Sequence, residues 1–80
     1  MPQSPSAGRA DPALAAVLRR LRLEHGESQE ALAFKSGLTS GSLTRIELGQ
    51  SSPEWATVRR IIDALGVTLT ELAAAVEAER

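Results

Sequence analysis

The chain has 80 residues, enough for one domain that buries roughly 60% of its unfolded surface. Apolar residues make up 42%, a globular proportion, while the two aromatics, Phe34 and Trp55, are too few for the stacking platforms of single-strand or looped-RNA binding. With no cysteine, one histidine and a net charge of -1, the chain carries no disulfide framework, no thiolate metal site and no polycationic surface.

Residues 1–10 (MPQSPSAGRA) are rich in Pro, Ser, Gly and Ala without periodicity and are expected to be a flexible arm, leaving residues 11–80 as the domain. Asp11-Pro12 reads as an N-cap followed by proline at the first helical position. Leu14, Val17, Leu18 and Leu21 then fall on one face, and Gly26 supplies a left-handed stop, which predicts a helix over 12–25. Ser28 caps a second helix, 28–36, with Leu32 and Ala33 inward and Gly37 ending it. Thr39 caps a third, 39–48, with Leu43 and Ile46 inward and Gly49 closing. After the polar loop Gln50-Ser51-Ser52, Pro53 opens a fourth helix, 53–65, whose stripe is Trp55, Val58, Ile61, Ile62 and Leu65. Gly66 stops it, and Thr68 caps a fifth, 68–78, with Leu69, Leu72, Ala73 and Val76 on its apolar side. No segment alternates with period two, so the expected fold is all-α, five short helices.

The spacing of the second and third helices carries the functional reading. Helices joined by three or four residues must cross steeply, as in a helix-turn-helix. The crossing needs a small residue at the contact, Ala33, and a turn residue tolerant of positive φ, Gly37. Leu38, Leu43 and Ile46 then anchor the third helix. Its outward face, Ser40, Gly41, Thr44 and Arg45, is short and polar except for the arginine, which suits entry into a major groove about 12 Å wide. Arg45 reaches a guanine edge or a phosphate. Gln29, at the start of the second helix, is placed for a phosphate oxygen. The expected partner is double-stranded DNA.

These residues also resemble a known family. The stretches LRLEHG-x-SQE-x-LA, G-L-T, R-I-E-x-G, the following proline and A-L-G-V-x-x-x-E-L are similar to those of the XRE family, the lambda-repressor/Cro-like helix-turn-helix domains, over about Leu14 to Leu72. The resemblance implies a five-helix lambda-repressor-like fold and a transcriptional regulator. It implies phosphate contacts from Gln29, Thr39, Ser42, Gln50 and Ser51, and base-facing positions at Ser40, Gly41, Thr44 and Arg45. It also implies a structural pair between Arg22 on the first helix and Glu47 at the end of the third. Two features depart from the pattern. Gly41 has no side chain to offer a base, and the loop 50–52 has no Lys or Arg, so Arg45 or DNA shape must carry the discrimination.

Charge distribution fits this orientation. Residues 1–62 carry eight basic and six acidic residues, and residues 63–80 carry Arg80 against four acids, so the acidic surplus lies at the far end. One module buries little DNA surface, so a homodimer on an inverted repeat is expected, through Leu69, Leu72, Ala73 and Val76. The length predicts a stand-alone regulator without an effector-binding domain, similar in size to restriction–modification controller proteins, antitoxins and small phage repressors. The alternative is a protein-interaction module, for example one that binds a toxin. It is motivated by Lys35 and Arg45 being offset by Glu30 and Glu47 between residues 28 and 52. No converging acid, base and nucleophile set is visible, so no enzyme activity, cofactor or metal is expected, and His25 reads as a solvated or capping residue. No apolar run approaches the ~20 residues of a membrane span and no signal peptide is evident, which makes the cytoplasm the expected compartment.

Overall fold

Side chains that accept backbone N–H bonds set where four of the helices begin. In the computed structural model, which describes residues 10–80, Asp11 accepts from the Ala13 N–H at 2.9 Å and opens α1 (Pro12–Glu24), with Pro12 in its first turn. Ser28 accepts from Ala31 at 3.0 Å and opens α2 (Gln29–Ser36). Thr39 accepts from Ser42 at 3.1 Å and opens α3 (Ser40–Glu47). Thr68 and Glu71 exchange bonds in a capping box at the start of α5 (Leu69–Glu79). Among the described residues there is no strand.

The fourth helix differs from its expected start. α4 runs Trp55–Leu65, and its first backbone bond is donated by Val58 N–H to the Glu54 carbonyl, so Glu54 is the N-cap and Pro53 lies before the helix. Glu54 makes no side-chain cap bond. Trp55 is then the first helical residue, ahead of the turn that meets the core, and it is 60% exposed rather than part of the buried stripe. The expected arm falls on residues 1–10, of which 1–9 lie outside the described residues.

Gly37 is where the α2–α3 turn depends on glycine. Its φ is +70°, and the Leu38 N–H reaches back to the Ala33 carbonyl at 2.8 Å, closing α2 and reversing the chain. α3 packs against α2, and Ala33, 1% exposed, lies in the shared core. α1 packs against α3 and α5, α2 against α3 and α4, and α5 also touches α4. The core between them is led by Leu18, Leu32, Leu43, Ile61 and Ile62, all essentially without solvent contact. Leu38 packs partly buried against it. At about 1.5–3 kcal/mol per fully buried aliphatic side chain, this cluster is the main favourable contribution to the fold.

Candidate nucleic-acid interface

α3 is bolted to α1 at its C-terminal end. Arg22 Nε donates to Glu47 Oε2 at 2.7 Å and Arg22 Nη2 to Glu47 Oε1 at 2.9 Å, a bidentate fork. The two side chains are only 9% and 1% exposed. Arg22 Nη1 donates to the Glu27 carbonyl at 2.9 Å. The hydrogen bonds to Glu47 hold the Arg22 guanidinium above its ordinary pKa against the opposing effect of burial.

The pair continues toward the surface. Gln29 Nε2 donates to Glu47 Oε1 at 3.0 Å, and the Thr44 hydroxyl lies 2.9 Å from Gln29 Oε1 and 2.9 Å from the Ser40 carbonyl. Gln29 is thus turned inward, between the ion pair and α3, with its backbone N–H in the first turn of α2. Neither contact was visible in the sequence, because 18 and 15 residues separate the partners.

On the outward side, Ser40, Gly41 and Arg45 are exposed, and Thr44 is half-buried. Arg45 folds back along the helix, with Nη2 3.4 Å from Ser42 Oγ. Gly41 leaves room for it: a Cβ there would lie 3.6 Å from Arg45 Nη1. Thr39 and Ser42 bond each other at the N-cap, hydroxyl to hydroxyl at 3.0 Å. Gln50, exposed, and Ser51, half-buried, follow Gly49 in the loop beside the end of α3.

Charge pairing changes the electrostatic picture of this face. Glu47 is neutralised by Arg22, and Lys35 pairs with Glu27, so both of these partners come from outside residues 28–52. Arg45 therefore stands as the charged donor of the outward α3 face, with Glu30 elsewhere, on α2.

The Helix-turn-helix domain family matches residues 13–75. The chain belongs to this family. It is 38% identical over 53 residues, 66% of the chain and 69% of the relative, to the HTH-type transcriptional regulator y4dJ of Sinorhizobium fredii. Among solved structures it is similar to the restriction-modification controller protein C.AhdI of Aeromonas hydrophila, with 35% identity, a TM-score of 0.72, and coverage of 75% of this chain and 91% of that one. It is similar to the clp gene regulator ClgR of Corynebacterium glutamicum, with 25% identity, a TM-score of 0.81, and coverage of 84% and 71%. The fold is that of the lambda-repressor-like regulators that the XRE-like motifs imply.

Within this helix-turn-helix family member, the four residues expected at a dimer interface part company. Leu72 is 4% exposed and sits in the core where α5 closes over the other helices, so it is corrected from interface to core. Val76 is half-buried against the same core. Leu69, 40% exposed, and Ala73, exposed, are the ones open to a partner. His25 is the C-cap residue of α1, and its Nδ1 donates to the Leu21 carbonyl at 2.8 Å. Among the described residues no group of His, Asp or Glu is arranged to hold a metal ion, and no helix is long and apolar enough to cross a membrane.

Proposed function

We propose that this helix-turn-helix regulator binds specific sequences of double-stranded DNA, with α3 in the major groove. The observation that carries this is the α3 face of exposed Ser40, Gly41 and Arg45 with half-buried Thr44, on a helix whose far end is fixed to α1 by the buried Arg22–Glu47 fork. A groove-reading helix must hold its register against the backbone, and the fork supplies that rigidity. Arg45 presents guanidinium donors to a guanine edge. Gln29, through its backbone N–H, with Thr39, Ser42, Gln50 and Ser51, lies along the flanking phosphates. The chain acts as a homodimer on an inverted repeat, through Leu69 and Ala73 with the edge of Val76, in the cytoplasm. The names of the relatives, a transcriptional regulator and a restriction-modification controller, support control of transcription as the role.

Arg45→Ala tests the reading by gel-shift titration on a duplex selected from a random pool. Because a good bidentate base contact contributes about 1–3 kcal/mol, specific affinity falls by about tenfold or more while the melting temperature is unchanged. Unchanged affinity would remove Arg45 from the interface. The competing protein-interaction reading draws on the net charge of -1, and absence of any duplex binding at low salt would favour it.

A further inference from the structure

We infer that Thr44 meets DNA purely as a hydrogen-bond acceptor and so selects a base edge carrying an exocyclic amino group, adenine or cytosine; the inference rests on α3 being the groove-reading helix. A threonine hydroxyl has one proton and two lone pairs. Among the described residues, the two hydrogen-bond partners of Thr44 Oγ1 are the Gln29 Oε1 and the Ser40 carbonyl oxygen, each at 2.9 Å, and both can only accept. The Gln29 amide cannot turn over to offer its NH2 instead. Its Nε2 donates to Glu47 Oε1 at 3.0 Å, and that carboxylate is itself held by Arg22 at 2.7 and 2.9 Å. A flipped amide would set oxygen against carboxylate oxygen. The Thr44 proton is therefore committed inside the protein, and this half-buried residue has only hydroxyl lone pairs left to offer a ligand.

In the major groove the donors are the N6 amino group of adenine and the N4 amino group of cytosine, whereas guanine N7 and O6 and thymine O4 only accept. Phosphate oxygens also only accept, so this hydroxyl is unsuited to a backbone contact. Arg45 has five donors and no acceptor, so adjacent residues of α3 make opposite demands on the site. Gln29 acts here as a positioning residue, through Thr44.

The test is selection from a random duplex pool with the wild type, Thr44→Val and Thr44→Ser. The wild type enriches a half-site in which one column is a fixed base pair whose adenine or cytosine amino group faces Thr44. Thr44→Val, nearly isosteric but without the hydroxyl, flattens that column and leaves the others, and Thr44→Ser keeps it. Replacing that adenine by purine, or that cytosine by 2-pyrimidinone, removes the amino group alone, weakens the wild type by about five- to tenfold and leaves Thr44→Val unchanged. Thermal melts of all three proteins check folding. If removing that amino group leaves wild-type affinity unchanged, or Thr44→Val binds the same consensus as the wild type, the acceptor role is overturned while DNA reading stands. If the wild type enriches no sequence, the reading of α3 fails and the inference falls with it.

Discussion

At the scale of single residues, the Arg22–Glu47 fork is the contact with most at stake. Removing either partner strands the other charge where it is 9% or 1% exposed. Arg22→Ala or Glu47→Ala is expected to cost about 3–5 kcal/mol in urea unfolding, and Arg22→Met combined with Glu47→Leu less than the sum of the singles. A loss under about 1 kcal/mol for either single substitution would mean that the fork is solvated in solution. Ser36 is the converse case. Its hydroxyl is buried without a hydrogen-bond partner among the described residues, so Ser36→Ala is expected to raise stability, by about 1 kcal/mol in the same assay. Only part of this was legible in the sequence. The fork was implied by the family resemblance, since nothing local links residues 25 apart. The Gln29–Thr44 contact and the orphaned Ser36 hydroxyl depend on how α2 sits between its neighbours, which periodicity does not encode.

At the scale of elements, caps and stops were the most readable features because their chemistry is local. Asp11, Ser28, Thr39 and Thr68 all cap the helices they were expected to begin. The start of α4 was misread because proline suits the residue before an N-cap as well as the first turn, and backbone bonding chose Glu54. Two glycines give opposite predictions. Gly37→Ala forces a Cβ into φ +70° and is expected to destabilise by about 1–2 kcal/mol, although none of the described residues comes within 4 Å of the new atom. Gly41→Ala, in ordinary helical geometry with its nearest neighbour at 3.6 Å, is expected to stabilise by up to about 1 kcal/mol. Thermal melts separate the two. The caps also set a pH dependence. The hydrogen bond from Arg80 holds the Asp11 carboxyl below its ordinary pKa, and the bonds with Thr68 do the same for Glu71. Depressed folded-state values contribute stability above the ordinary carboxylate range, and it is lost as the pH falls through the folded values. The melting temperature is expected to be lower at pH 3 than at pH 7. The gap should narrow in a variant carrying Asp11→Asn and Glu71→Gln, and an equal gap would exclude these caps as its source.

At the scale of the whole molecule, α5 decides what remains for a partner. Leu72 closes the core, and ion pairs fasten the end of the helix to α1, Arg20 to Glu79 at 2.7 Å and Arg80 to Asp11 at 2.6 Å. The sequence showed α5 as an apolar stripe but not how its residues divide between core and surface, because that division depends on where α1 and α4 lie. With Leu69 and Ala73 outward, Leu69→Glu is expected to shift the chain to monomer in sedimentation while keeping the fold, and to weaken binding to a two-half-site duplex. A wild type that sediments as a monomer at high concentration would rule out the homodimer. The central claim concerns the face of α3, and chemical-shift mapping of the 15N-labelled chain against a selected DNA duplex tests it most directly. The predicted result is that the largest changes fall at the start of α2, across Ser40–Arg45 and in the loop at Gln50 and Ser51, while the amides of α4 stay quiet. Changes confined to the outer face of α2 or to α5, or none at low salt, would contradict it.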